Sequence, residues 1–317
     1  MTLTIALLAL TYLLAAFLLA ASALAIVFPR RPILGVSQHW GLQLWWLALL
    51  GALPALWLRE WAAFAICAAV AAYWSRRLFR QQPGSDAPES TPLLRIVFAN
   101  LLHANGDHPR AVRAIMAIAA DVVVLCETTP AARAAFRALE AQLPHTFDTC
   151  VPEELYGLTI LSRFPMRERG RGLGEDAAPR HLVTDLDVAG TTISLVAIHP
   201  TNPLRLERAH RIPGEFDAVA ALCQAARDDL IVIGDCNAAG WSSYLRDLER
   251  AAGLNNDRRL RPSWPVWLPP PLRLPLDHVW VRGRLTLRGA RLGRRFGSDH
   301  LPLIAEIGQS AERRPAE

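Results

Sequence analysis

The sequence predicts a layered α/β domain behind an N-terminal set of apolar helices. The chain has 317 residues and is 52% hydrophobic, which is high for a wholly soluble protein. The excess is concentrated in residues 1–75. From residue 93 onward, short β-like runs alternate with helical patterns, the arrangement of a layered α/β domain. Most of those β-like runs end on, or open with, a carboxylate, amide or imidazole.

The first apolar segment runs 26 positions without a charge, from Leu3 to Phe28. A helix needs roughly 20 such residues to cross about 30 Å of hydrocarbon. A cleavable signal peptide is the rival, but it calls for a basic start and a shorter apolar core. Residues 40–58 form a second uncharged run and 61–74 a third, separated by Arg59 and Glu60. Three spans are expected, 3–28, 40–58 and 61–75, the last two a tight hairpin. The third run is short for a span, although Trp61 and Trp74 fit interfacial anchors, so a re-entrant or interfacial segment is its alternative. Arg30 and Arg31 follow the first run, and Arg76, Arg77 and Arg80 follow the third. By the positive-inside bias, this pattern predicts a C-terminal domain on the cytoplasmic face of a cell inner membrane. Residues 81–91, QQPGSDAPEST, read as a polar linker. The folded domain is expected over 92–309, with a polar tail over 310–317.

Every basic residue is Arg, the composition of a coding bias. Residues 1–91 hold six of them against Glu60, Asp86 and Glu89, while 92–317 hold 28 against 26 acids. The net charge of +5 is therefore no sign of a general nucleic-acid binder. The five cysteines show no CxxC or zinc-type spacing, and their odd number argues against a disulfide framework. Cys126 and Cys236 sit in apolar runs and read as buried thiols.

The β-like runs are LLRIVFAN, DVVVLCE, YGLTILSRF, TISLVAIHP, LIVIGDCN, LDHVWV and the end of SDHLPLIAEI. Helical patterns lie at 109–120, 131–141, 206–226 and 242–252. Asn100 ends the first run, Glu127 the second and His199 the fourth. Asp235 and Asn237 end the fifth, Asp277 and His278 open the sixth, and Asp299 with His300 precede the last. A lone Asp after a strand is ordinarily a turn or cap. Placements at six of the seven runs, with metal-binding or phosphate-binding chemistry on rigid strand ends, point instead to one assembled site.

The ordered set IVFANLL, VVVLCETTP, YGLTILSRFPM, LVAIHPTNP, VIGDCNAAGWS, LDHVWV and GSDHLPL resembles the endonuclease/exonuclease/phosphatase superfamily across residues 93–307. That superfamily includes DNase I-like nucleases, neutral sphingomyelinases and inositol-phosphate phosphatases. The resemblance implies a four-layer α/β sandwich, two packed sheets with helices outside. It implies a Mg²⁺-dependent phosphoesterase, with Mn²⁺ as the other candidate ion. Glu127 then resembles the metal-ligand glutamate, with Asn100 nearby and Asp299 as an accessory metal residue. His300 resembles the general base that activates water, and Asp277 its orienting carboxylate. Asp235 and Asn237 resemble the GDxN pair that positions nucleophile and phosphoryl oxygens. His199 resembles the histidine that stabilises the charged transition state.

Two departures bear on substrate. Leu101 and Leu102 follow Asn100 where many nucleases of the family carry a carboxylate, and no DNA-reading insertion is recognisable. A phosphate ester or phosphodiester at or near the membrane, lipid-linked phosphates included, is therefore the expected substrate. A nuclease is the alternative, and a catalytically inactive membrane adaptor the non-enzyme one. Residues 258–295 carry ten Arg and one acid, Asp277, together with RPSWPVWLPPPLRLPLDHVW. This stretch reads either as a basic, Trp/Pro-rich rim beside the site or as a solvated strand face with Trp264 and Trp267 packed inward. The resemblance to some membrane-anchored bacterial relatives of the superfamily implies instead an active site outside the cell, opposite to the loop-charge expectation.

Overall fold

The structure is a computed structural model that describes residues 2–79, 90–149, 156–173, 180–256 and 259–310. The linker 81–91 and the tail 310–317 therefore lie largely outside the described residues, as does Cys150. The chain divides into two units, one built from N-terminal helices and one from strands.

The helical unit contains α1 (Thr2–Val27), a single 3₁₀ turn at Val36–Trp40, α2 (Gly41–Trp57) and α3 (Trp61–Phe79). Two of its stretches, Leu3–Val27 and Val36–Trp57, are long and apolar enough to cross a membrane. The third expected segment is one continuous helix, with Arg76 and Arg77 in its last turn. Two indole N–H groups find partners inside the unit. Trp74 Nε1 donates to Ser22 Oγ at 3.0 Å and Trp45 Nε1 to Ser75 Oγ at 2.7 Å.

The second unit has two mixed sheets. One has six strands: β1 (Ser90–Asn100), β2 (Val122–Thr128), β3 (His145–Asp148), β4 (Gly157–Ser162), β10 (Leu285–Leu292) and β11 (Leu303–Ser310). The other has five: β5 (Met166–Leu173), β6 (Arg180–Val188), β7 (Thr191–His199), β8 (Leu230–Asp235) and β9 (Asp277–Arg282). Their orders are β10-β11-β1-β2-β4-β3 and β5-β6-β7-β8-β9.

The period-2 alternation of strands builds the layers. Ile96 and Phe98 face one core, which Leu195, Ile231 and Val279 of the other sheet complete. Val97 and Ala99, between them in sequence, face a second core. That core is closed by Val112 and Ile115 of α4 (His108–Met116) and Phe136 of α5 (Pro130–Phe136). Burying each such Leu, Ile, Val or Phe contributes about 1.5–3 kcal/mol. On the five-stranded sheet, α7 (Ser243–Ala252) is tied to β9 by Trp280 Nε1, which donates to Glu249 Oε1 at 2.9 Å. α6 (Ile212–Ala225) buries Phe216, Val219 and Cys223. Caps set the helix starts. Asp107 accepts from the Arg110 N–H, and Thr129 from the Ala132 N–H, each just before a proline in the first turn.

Four strands, β3, β5, β6 and β10, were not expected from sequence. Three of them lie at sheet edges, where MRERGRGL and LTLRGARL carry arginines in place of an apolar run. Charged edges prevent pairing with other chains, and they blur the strand pattern. β1 also begins at Ser90, earlier than the domain edge expected at residue 92, because Ser90 and Thr91 pair with Ser310 and Gln309 of β11.

Candidate active site

All eight residues singled out from sequence come together at one end of the two sheets. Six of them line an open cavity of ≈ 220 Å³, and Asn100 and Asp277 bond to residues that line it. Asp235 is the centre. It ends β8, is 1% exposed, and its Oδ2 lies 3.9 Å from His199 Nε2 and 3.6 Å from His300 Nε2. Gly234 before it permits this placement, since a Cβ there would run into the Ile198 carbonyl oxygen of the neighbouring strand.

Asp277 opens β9 directly opposite Asp235 in the antiparallel register. Its Oδ2 accepts from His300 Nδ1 at 2.9 Å. His300 is in turn fixed by its backbone N–H, which donates to Ser298 Oγ at 3.1 Å. Nε2 therefore faces Asp235 and the cavity. Burial opposes charge on this ring, but Asp277 and then Asp235 outweigh it and push His300 up to about 10. Burial likewise pushes the Asp235 carboxyl up, against the pull of His300 and His199.

Glu127 owes its position to a bulge. The β2–β4 register shifts between Cys126 and Thr128, and Glu127 adopts a left-handed φ of 54°. A bulge re-aims one side chain, and a non-glycine residue held at positive φ is strained. The result turns the carboxylate into the cavity. Its Oε2 accepts from the His103 N–H at 2.9 Å and from His103 Nδ1 at 2.8 Å, and its Oε1 from Asn100 Nδ2 at 3.0 Å. Burial alone would raise its pKa. His199 and these hydrogen bonds prevail and hold the carboxyl down at about 2.

Asn100 also donates through Nδ2 to Asp235 Oδ2 at 3.0 Å, while its Oδ1 accepts from the Leu102 N–H at 2.9 Å. It bridges the two carboxylates. Asn237, at φ 49°, gives its N–H to Asp235 Oδ1 at 2.8 Å and its Nδ2 to the Pro200 carbonyl at 3.0 Å. Asp299 accepts from Trp264 Nε1 at 2.8 Å. His278, adjacent to Asp277, turns away: its Nε2 donates to the Ala238 carbonyl at 2.9 Å and its ring stacks on Trp280. Trp264 lines the cavity, while Trp267 is 64% exposed, so this pair forms part of a rim.

Sequence reasoning missed His103, Tyr156, Arg180, Arg205, Arg208 and Arg211, all of which line the cavity. His103 carried a signal, three positions after Asn100 at the end of the same strand run. The arginines were hidden by their abundance in the chain.

The donor set suits a hard divalent cation. Glu127 and Asp299 both present carboxylates to the cavity, and Glu127 stays ionised. The tight grouping of Asp235, Asp277 and His300 has a different character, because His300 Nδ1 is already bonded to Asp277. Cys126 lies beside Asp235 and His199, but burial pushes its thiol well up, so it stays protonated.

The Endonuclease/Exonuclease/phosphatase family matches residues 97–300, and the chain belongs to that family. Solved structures agree on the fold. A humanised D. rerio TDP2 superposes with a TM-score of 0.55 at 16% identity, covering 68% of this chain and 98% of that one. Sphingomyelinase C from Streptomyces griseocarneus gives 0.50 at 19%, covering 68% and 99%. A Staphylococcus aureus beta toxin variant with bound magnesium ions gives 0.53 at 14%, covering 68% and 99%. No curated protein matches the chain.

Proposed function

We propose that this protein is a membrane-anchored, metal-dependent phosphoesterase, hydrolysing a phosphate ester or phosphodiester by attack of an activated water. One observation carries the reading: a buried Asp277–His300 pair faces Asp235 across 3.6 Å, on the floor of a cavity that Glu127 also enters. Phosphoryl-ester hydrolysis needs a water deprotonated, charge on the phosphoryl oxygens balanced, and a leaving oxygen stabilised. Asp235 and His300 take the proton from the water as one coupled unit, at Oδ2 or Nε2, with Asp277 orienting the ring. His199 and Asn237 face the phosphoryl oxygens. A divalent cation, Mg²⁺ or Mn²⁺, held by Glu127 with Asn100 and Asp299 close by, would supply positive charge against the developing negative charge. Magnesium is the ion bound in the beta toxin variant of similar fold.

For the substrate, we favour a phosphate ester at or in the membrane, lipid-linked phosphates included. The two long apolar stretches support an anchor, and tethering concentrates an enzyme beside such a substrate. The near balance of Arg and acid in residues 92–317 gives the domain no general excess of positive charge for a duplex.

The test uses the full chain purified in detergent with Mg²⁺. Plasmid DNA, bis(4-nitrophenyl) phosphate and a polyprenyl pyrophosphate are assayed in parallel, with His300→Ala as control. Release by wild type and none by His300→Ala is expected. Equal release by both would sink the assignment, and a preference for plasmid would make the protein a nuclease.

A further inference from the structure

The carboxylates and imidazoles account for the cavity floor but not for one of its walls. Arg180, Arg205, Arg208 and Arg211 all line it. Three of them share a face for a local reason. The stretch from Arg205 to Arg211 is a string of i→i+3 turns, in which the Arg208 N–H donates to the Arg205 carbonyl at 2.9 Å and the Arg211 N–H to the Arg208 carbonyl at 3.0 Å. In 3₁₀ geometry, side chains three apart eclipse one another. An arginine at every third position of RLERAHR therefore builds one cationic edge.

The fourth arginine is set by a strand. Arg180 of β6 pairs directly with His199 of β7, so their Cβ atoms sit about 4.5–5.5 Å apart. Two of the guanidiniums converge on one ring: Arg180 lies 5.3 Å and Arg205 5.1 Å from the Tyr156 centroid, and Arg205 also donates to the Tyr156 hydroxyl. The opposite neighbour of Tyr156 is the His103 ring, at 4.9 Å, and His103 bonds Glu127. The arginine wall is thus joined to the end of the site that Glu127 occupies. Among the described residues, neither Arg208 nor Arg211 has a carboxylate within ion-pair reach.

Bringing like charges into one cavity is unfavourable unless an anion meets them. Guanidinium forks match phosphate oxygens in pairs, so a group of arginines is a phosphate-binding arrangement. The phosphoryl group undergoing reaction sits at the floor, over Asp235 and His300. We propose that the arginine wall is a second anion subsite, and that the substrate carries at least one phosphoryl group besides the one attacked. This rests on the phosphoesterase reading for the site. It narrows the substrate class to esters with two phosphoryl groups, whether a lipid headgroup or a soluble compound.

Binding tests this without turnover. The full chain in detergent, free of metal, is titrated calorimetrically with inorganic orthophosphate and pyrophosphate. Wild type is expected to prefer pyrophosphate by about tenfold or more. The Arg208→Ala/Arg211→Ala variant is expected to lose that preference while keeping its orthophosphate affinity. Both positions are on a surface turn, and an unchanged thermal melt confirms that the variant folds. Equal affinity of wild type for the two anions, or a preference that survives the double substitution, would overturn the proposal. Micelles carrying phosphatidic acid or diacylglycerol pyrophosphate form the second arm. A larger wild-type preference there than with the free anions assigns the second phosphoryl group to a lipid, and an equal one assigns it to a soluble ester. Hydrolysis assayed in the same preparations keeps the two readings apart. Loss of the pyrophosphate preference with His300-dependent turnover intact removes only the subsite, whereas a preference with no turnover on any ester removes only the enzyme.

Discussion

His300 Nδ1 and Asp277 Oδ2 meet at 2.9 Å in surroundings where neither residue is more than 4% exposed. The bond fixes the proton on Nδ1 and aims Nε2 at Asp235. Such a pair acts as one device, so its parts are not additive. His300→Ala is expected to lower kcat by about 10²–10⁴-fold. Asp277→Asn should lower it by a similar order, and the double variant should be no worse than His300→Ala alone. Steady-state kinetics on the three variants decides this. Multiplying losses would mean that Asp277 acts independently of the imidazole.

Glu127 is held from behind by His103, through both a backbone and a ring nitrogen. Partners that orient a metal-binding side chain commonly contribute 10–100-fold to metal affinity. His103→Ala is therefore expected to raise the Mg²⁺ concentration for half-maximal activity by about 10–100-fold, with kcat at saturating Mg²⁺ little changed. Glu127→Gln should weaken the ion more. An unchanged Mg²⁺ response in His103→Ala would detach His103 from the cation.

Asp277, Asp235 and Glu127 give the metal-free protein opposite pH sensitivities at two positions. His300 is pushed up from 6.5 to about 10, so it favours the folded state. That contribution is complete below its unfolded pKa and disappears as pH rises through the folded one. Glu127 is lowered from 4.5 to about 2, so its contribution is present above 4.5 and disappears as pH falls toward 2. The stability gap between wild type and His300→Gln is expected to close from pH 6.5 to 10. The gap to Glu127→Gln should close from pH 4.5 to 2. Chelator-treated protein followed by thermal melts supplies both curves, and a gap that widens in either window contradicts the corresponding ion-pair network.

The site was readable from sequence to the extent that strand ends carry it. Asn100, His199 and Asp235 each terminate an apolar β-branched run, and that pattern survives without coordinates. Local dihedrals and cross-strand register do not survive in the same way. The bulge at Glu127 is a backbone event with no residue signature. Arg180 reaches the cavity only because β6 pairs with β7 opposite His199, and β6 itself carries Asp185 and Asp187 inside a run that sequence reads as polar. The Arg205–Arg211 edge is visible as a period of three only once i→i+3 turns are known. In the sheets, the arginine-bearing edge strands β5 and β10 lack the apolar run by which the long buried strands β1, β2, β7 and β8 are legible, because burial imposes that run and an edge does not.

Membrane attachment yields the remaining expectation. α1 spans 26 residues, about 39 Å at 1.5 Å per residue, against a hydrocarbon core of about 30 Å. Leu10 and Leu13, in its middle, are 62% and 68% exposed, a large apolar surface that water would penalise and acyl chains would not. The full chain is therefore expected to stay in the membrane pellet after alkaline carbonate extraction and to need detergent for release. Leu10→Arg with Leu13→Arg adds about 2.5–3.5 kcal/mol per residue to insertion, enough to move a substantial fraction into the supernatant. Recovery of wild type in the carbonate supernatant would mean that these helices bury their apolar faces against protein instead. A reporter fused after residue 309 gives the side. Activity on the cytoplasmic side follows from the arginines after α1 and in α3, and activity outside would mean that the loop charges do not set the topology.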